Sequence, residues 1–188
     1  YRQGDTGQES SEVYGRGNDR VRPSFDRGRI QDTDQRIMRT VIQRVSEASV
    51  RVPAEGYESS IGKGLLVLAA FIDEDTDEDL EWTAKKIAAM RIFDDADGVM
   101  NLSVRDVDGE VLVVSQFTLY ASTVKGNRPS YIKAAKPEVA IPLYEKFLMR
   151  LEEHLGKKVG KGIFGADMKV SLLNDGPVTI IVDSKLKF

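Results

Sequence analysis

Cysteine is absent from the 188 residues, and histidine occurs once, as His154. Without cysteine there is no disulfide framework, no thiol nucleophile, no iron–sulfur centre and no cysteine-ligated zinc. The absence fits a reducing compartment without requiring one. A single imidazole leaves almost nothing from which to build a Ser-His-Asp triad or a multi-histidine metal site. No metal and no cofactor are therefore expected. Long apolar runs are missing as well. The longest, Gly64–Ile72, has the length of one buried strand and falls far short of the roughly 18 residues of a membrane span. An excess of positive charge is also lacking: 27 basic residues face 30 acidic ones, for a net charge of −3. That balance does not suit a protein that grips duplex nucleic acid by counterion release, so no DNA partner is expected. It is compatible with a partner touched at one end through a local basic strip. What is present is ordinary for one globular domain, with 41% hydrophobic and 30% charged residues. An enzyme made from this chain must work with hydroxyls, amides, backbone dipoles, carboxylates or groups on its substrate.

Composition divides the chain. Residues 1–37 are rich in Gly, Arg, Gln, Asp and Ser and show no hydrophobic period. They hold seven Arg, no Lys and seven Asp or Glu. This reads as a flexible N-terminal extension. The competing reading is the remnant of an organellar targeting peptide, but such peptides are poor in acids. Because the chain begins at Tyr1 rather than Met, an upstream stretch is expected to have been removed or left out. The folded domain is expected over 38–188.

From Met38 onward the patterns are dense. Arg39–Val45 and Ala48–Val52 read as two short strands, and Ser59–Ile72 as one or two more, broken at Gly62–Gly64. The second half of that stretch is apolar on both faces and belongs in the centre of a sheet. Thr76 with Asp79 forms a capping-box pattern, and Leu80, Ala84, Ile87 and Ala88 follow at helical spacing. A helix is expected from Asp77 to about Ile92. The acids of Asp94–Gly98 read as a solvated turn, since a calcium loop would need different spacing and a terminal Glu. Asp108–Gly109 is a hairpin signal between Met100–Val107 and Glu110–Tyr120. A second helix is expected from Pro142, as a first-turn proline, to Leu155, with Gly156 as its stop. Strands over Lys169–Leu173 and Val178–Asp183 flank a turn at Asn174–Pro177. The order implies an α+β, layered α/β/β domain with a mixed, mostly antiparallel sheet and two main helices.

Two polar clusters interrupt the apolar strands. In Ser115-Gln116-Phe117-Thr118-Leu119, a strand would put Gln116 and Thr118 on one face. A hydroxyl and an amide placed so can contact a carbonyl and its oxyanion; polar residues at a strand end can equally be edge capping. Asn174-Asp175-Gly176-Pro177-Val178-Thr179 is either an ordinary turn or a place where an X-Pro bond is cis and bare backbone carbonyls approach a ligand. Lys125, Arg128, Lys157, Lys158 and Lys161 are candidates for a basic rim or a scattered basic surface. His154 falls at a helix C-terminus, where a cation complements the dipole.

These blocks, together with Met38-Arg39-x-Val41-Ile42-Gln43-Arg44-Val45, Arg91-Ile92-Phe93-x-Asp95, Lys125-Gly126-Asn127-Arg128-Pro129-Ser130 and Phe164-Gly165-Ala166-Asp167-Met168, resemble the D-aminoacyl-tRNA deacylases (D-tyrosyl-tRNA deacylase family). The Ser-Gln-Phe-Thr-Leu and Gly-Pro-Val-Thr blocks are that family's two signatures. Ser115 and Phe117 place the chain beside the D-specific members rather than a sister group with a Pro-Gln-Ala-Thr type block. The resemblance implies a barrel-like core and a homodimer. It implies hydrolysis of the ester between a D-amino acid, or glycine, and the 3′-terminal adenosine of tRNA, as proofreading in trans. The location implied is the cytoplasm, with an organelle open because of the extension. It assigns Ser115, Gln116, Phe117 and Thr118 to the ester, with Thr118 as nucleophile or, since no base lies near it in sequence, as a positioning group beside a 2′-hydroxyl that assists. It assigns Gly176 and Pro177, reaching across the dimer, to the amino group and to rejection of L side chains. Phe164, Gly165 and Ala166 are assigned to the adenosine pocket. A member that binds tRNA ends or nucleotides without hydrolysis is the alternative.

Overall fold

The computed structural model describes residues 38–184; the extension over 1–37 lies outside the described residues. One long strand organises the rest. β1 runs from Arg39 to Val52 as a single strand, where two short ones were expected. Its second half pairs antiparallel with β2, Tyr57–Ile61, and its first half with β3, Gly64–Ala70. Its other edge pairs along most of its length with β8, Lys169–Asp183. Ser46-Glu47 does not end the strand because β8 continues to pair across that point, with register irregularities between Gln43 and Glu47.

β3 is followed by helix α1, Asp77–Ala89, and by a small two-stranded sheet of β4, Phe93–Asp94, and β5, Met100–Leu102. The capping box forms as expected: Asp79 N–H donates to Thr76 Oγ1, and Thr76 N–H donates to Asp79 Oδ2 at 3.0 Å. The expected hairpin at Asp108–Gly109 does not form. Glu110–Ser115 is β6, and it pairs in parallel with β3, not with the strand before the turn. The turn itself is closed locally, by Gly109 N–H to Val104 O at 2.8 Å. Val111–Val114 is apolar on both faces, which suits a central strand sharing two cores better than a hairpin arm. Gly64 makes that pairing possible, since a Cβ there would come within 1.8 Å of Glu110 O.

Helix α2 spans Pro137–Leu155 and so begins one turn and more before the expected start. Pro137 takes the first-turn position, and Pro142 is tolerated inside at the loss of one backbone bond. Gly156, at φ 72°, closes the helix by donating to Glu152 O at 2.8 Å. The short strand β7, Gly160–Lys161, adds in parallel to β6. The six-stranded sheet then curls on itself. Tyr57 Oη in β2 donates to Lys161 O in β7 at 2.7 Å, and Gly160 leaves room for Ser59 of β2. The domain is therefore an α+β fold with a nearly closed, barrel-like mixed sheet and two main helices, as expected.

Two larger cores take most of the buried apolar residues, and Ala70, Ile72 and Tyr120 form a small third cluster. Leu65, Val67, Val111 and Val113 point to the helices, where they meet Leu80, Ile87, Tyr144, Phe147 and Leu151. Leu66, Leu112 and Val114 point into the barrel with Val45, Val50 and Ile61. This split explains why β3 and β6 read as continuous apolar runs.

Candidate functional site

The parallel strands β3 and β6 end side by side, and a cleft of about 260 Å³ opens at their carboxyl ends. Gln116 N–H donates to Ala69 O at 2.7 Å and so carries the ladder one residue past β6. The chain then tightens into a 3-10 turn over Phe117–Tyr120, not the extended strand that was expected to run to Tyr120. Polar residues that cannot continue an apolar ladder are thus presented at the cleft. Gln116 and Thr118 do come together, as their expected shared face required, but through the turn: Gln116 Nε2 donates to Thr118 Oγ1.

Ser115, Gln116 and Phe117 line the cleft, and Phe164, Gly165 and Ala166, from the loop between β7 and β8, line it too. The two groups of candidates, nearly fifty residues apart in the chain, therefore share one space. Small side chains make the room: Ala69 and Ala70 at the end of β3, Ala135 before α2 and Ala140 within it. Phe164 is braced from behind by Tyr144, with ring centroids 6.0 Å apart. Tyr144 is buried and donates its hydroxyl to Val113 O at 3.0 Å, and burial pushes its pKa up. Among the described residues Asp167 is the one ionisable side chain on the lining, and Lys169 engages it at 2.9 Å. Thr118 does not line the cleft and reaches it only through Gln116.

The turn is held from outside by a residue that sequence reasoning did not single out. Arg39 donates to Leu119 O at 3.1 Å, to the buried Asp183 carboxylate at 3.2 Å, and lies over the Tyr120 ring. It ties the start of β1, the end of β8 and the 3-10 turn together.

Gly176 and Pro177 lie elsewhere. They do not line the cleft of their own chain. Asn174–Thr179 is not a hairpin turn but a loop within β8: a two-residue advance along β1, from Gln43 to Val45, faces a five-residue advance from Asn174 to Thr179. The Gly176–Pro177 bond is cis, and Gly176 sits at φ 136°. Asn174 Oδ1 accepts from Val178 N–H at 2.9 Å and closes the loop. Arg44, only 7% exposed, donates to Asp175 O at 2.9 Å and to Ile92 O at 2.7 Å, and pairs with Asp94 at 3.3 Å. Arg44 was also missed as a site residue. Its signal was present: it alternates with Thr40 and Ile42 on the inward face of β1, where a charge has no place unless it binds something.

The basic rim separates. Lys157, Lys158 and Lys161 are paired with Asp108, Glu152 and Glu145, whereas Lys125 and Arg128 stand on the segment between the 3-10 turn and α2. His154 pairs with Glu81 at 2.8 Å across the two helices, away from the cleft lining.

Comparison with known proteins bears on this arrangement. Residues 41–183 match the family model described as D-Tyr-tRNA(Tyr) deacylase. The D-aminoacyl-tRNA deacylase of Flavobacterium johnsoniae is 65% identical over 149 residues, which are 79% of this chain and 98% of that protein. That of Bacteroides thetaiotaomicron is 61% identical over 150 residues, 80% and 99% of the two chains. Among solved structures, a c-Myc DNA unwinding element binding protein superposes with a TM-score of 0.70 at 41% identity, covering 77% of this chain and 97% of the other. A probable eukaryotic D-amino acid tRNA deacylase gives 0.68 at 21% identity, covering 78% and 98%, and speaks to the fold alone.

Proposed function

This chain belongs to the D-Tyr-tRNA(Tyr) deacylase family, and on that premise we propose how its cleft performs the reaction. The protein hydrolyses the ester that joins a D-amino acid to tRNA and releases both. In our reading the terminal adenosine lies against Phe164, Gly165 and Ala166, and the ester carbonyl lies at Ser115–Thr118. The observation that carries this is the convergence of the two blocks on one cleft whose only ionisable lining residue among those described, Asp167, is already engaged.

The amides of Phe117 and Thr118 open a helical turn, where an N–H has no earlier carbonyl to bond. They and Gln116 are the donors for the oxyanion; one such donor is worth about 3 kcal/mol of barrier. Thr118 Oγ1 accepts from Gln116 Nε2, an amide that cannot take up a proton. Thr118 thereby orients the Gln116 amide toward the ester and does not attack it. Water attacks, assisted by the 2′-hydroxyl of the terminal ribose. The new bond is carbon to water oxygen, the bond to the ribose 3′-oxygen breaks, and the proton lost by water goes to that leaving oxygen. Orientation and charge stabilisation suffice for an activated ester.

Chiral selection is proposed to need a second copy. Gly176 and Pro177 would reach into the neighbouring cleft of a homodimer, accept from the substrate ammonium through their carbonyls and leave no room for an L side chain. Two facts support this: the loop does not line the Ser115–Phe117 cleft of its own chain, and β8 exposes apolar side chains, Leu173 and Ile181 among them at 58% and 56%. Such a gate accepts glycine as well. Among the described residues no helix is long and apolar enough to cross a membrane; we place the activity in the cytoplasm, with charged tRNA.

Deacylation of D-Tyr-tRNA, Gly-tRNA and L-Tyr-tRNA side by side tests the reading. Cleavage of the first two only is expected. Equal cleavage of the L-ester refutes the gate, and tight binding without turnover supports the non-catalytic alternative. Residues 1–37 are proposed to be dispensable for chemistry, so their deletion should leave the rate within about threefold.

A further inference from the structure

The segment from Ala121 to Pro137 carries Lys125, Arg128, Lys133 and Lys136 and not one Asp or Glu, in a chain with 30 acids. Many cations elsewhere in the domain are paired. Lys146, Arg150, Lys157, Lys158, Lys161 and Lys169 each sit against a carboxylate. Lys125, Arg128 and Lys136 are exposed and have no carboxylate partner among the described residues; Lys133 is engaged. Unpaired cations on an acidic protein leave a local positive field with no internal use.

The segment starts and ends at the cleft. It leaves directly after the 3-10 turn and returns at Ala135, whose N–H donates to Phe71 O at 2.9 Å on the cleft lining. Paired bonds between Ser122 and Ser130, 2.8 and 2.9 Å, close its base, and Gly126 at φ 73° turns its tip. Tyr131 follows that base and packs edge-on against Phe117, with centroids 5.2 Å apart. Both rings are exposed, Phe117 at 55% and Tyr131 at 39%. Exposed aromatic rings beside unpaired cations are the combination that holds single-stranded nucleic acid: bases stack and phosphates pair.

We propose that this loop is a second RNA contact, which holds the nucleotides preceding the terminal adenosine. Lys125, Arg128 and Lys136 meet their phosphates, and Tyr131 offers a stacking face. The proposal rests on the tRNA reading above and extends it from the ester to the strand behind it. It also accounts for how an acidic protein collects a polyanion: this stretch of the chain carries cations and no acids where the strand leaves the cleft.

The test measures binding of an uncharged acceptor-stem RNA minihelix with a single-stranded 3′ end, by anisotropy over a range of salt. The combined Lys125→Gln, Arg128→Gln, Lys136→Gln variant should bind at least tenfold more weakly in low salt. The slope of log affinity against log salt should fall by about 2, at roughly 0.7 per single-strand phosphate contact. A matched variant, Lys157→Gln, Lys158→Gln, Lys161→Gln, removes the same charge from paired positions and should stay within twofold. Tyr131→Ala should weaken binding, and Tyr131→Phe should restore it. On D-Tyr-tRNA the loop variant should raise KM and leave kcat. Unchanged affinity and slope, or equal losses in the two charge variants, would overturn the proposal. Turnover of D-Tyr-tRNA with a wild-type KM in the loop variant fails this inference and leaves the deacylase reading standing. Lost RNA binding in a wild type that cleaves no ester would do the reverse.

Discussion

The two signature blocks differ in how much of their environment the chain itself supplies. Ser115–Thr118 is complete within one copy: the ladder to Ala69, the 3-10 turn, the Arg39 brace and the facing Phe164–Ala166 wall all come from the same chain. Asn174–Thr179 is braced as firmly, by Arg44 and by the Asn174 side chain, yet it does not line the Ser115–Phe117 cleft. A loop held this firmly away from that cleft is the feature on which the proposed gate rests. The first block owes its surroundings to convergence within the fold, whereas the second presents a fixed shape outside that cleft.

The largest effect that can break this comparison is at Gly176. A Cβ there would lie 2.8 Å from Val178 Cγ2 and 3.1 Å from Arg44 Nη2, at a φ that side chains rarely adopt. Gly176→Ala should lower kcat/KM on D-Tyr-tRNA a hundredfold or more while far-UV circular dichroism stays native. A near-normal rate would mean the loop has no part in the reaction.

Arg44→Ala comes next. It strands the carbonyls of Asp175 and Ile92, two charge-assisted bonds, and should cost about 2–4 kcal/mol in urea unfolding. The rate should fall at least tenfold because the loop loses its brace, and Arg44→Lys should recover part of both. Loss of stability with full activity would show that the bracing serves the fold alone.

Thr118→Ala should be milder. A positioning hydroxyl is worth roughly 1 kcal/mol, so a loss of less than about tenfold is expected, with no trapped acyl-enzyme. A tRNA with a 2′-deoxy terminal ribose should lose far more. The opposite ranking would make Thr118 the nucleophile.

The smallest effect concerns the support behind the cleft. Burial raises the Tyr144 pKa above its ordinary 10.0, so the folded state holds that proton more tightly than the unfolded chain. Its contribution to stability is complete below about pH 10 and is lost as pH rises through the folded value. Tyr144→Phe should therefore cost about 1 kcal/mol at neutral pH, through the lost bond to Val113 O, and flatten the alkaline decline in Tm.

Local signals were readable wherever a short stretch satisfies itself. The Thr76–Asp79 box, the Gly156 stop and the positions of both polar blocks follow from residue chemistry within a few positions. The reading failed where pairing is remote. Asp108–Gly109 makes a good turn by itself, but the strand after it finds a partner more than forty residues back. Likewise Asn174–Pro177 looks like a hairpin turn, while β1 holds both of its flanks in one strand. Arg44 was legible as a charge in an inward alternation and was passed over because its partners are carbonyls, which no sequence pattern displays.

The amino-acid sequence alone therefore determined the chemistry available: hydroxyls, amides and backbone groups in place of thiols and imidazole clusters, and glycine where backbone had to come close. Tertiary structure decided where those groups meet. Parallel pairing of β3 and β6 brings two strand ends to one cleft, and the curl of the sheet brings the loop after β7 over it. Side-chain chemistry and turn propensity act over a few residues and are written locally, whereas the choice of strand partner is made by burying apolar faces across the whole domain.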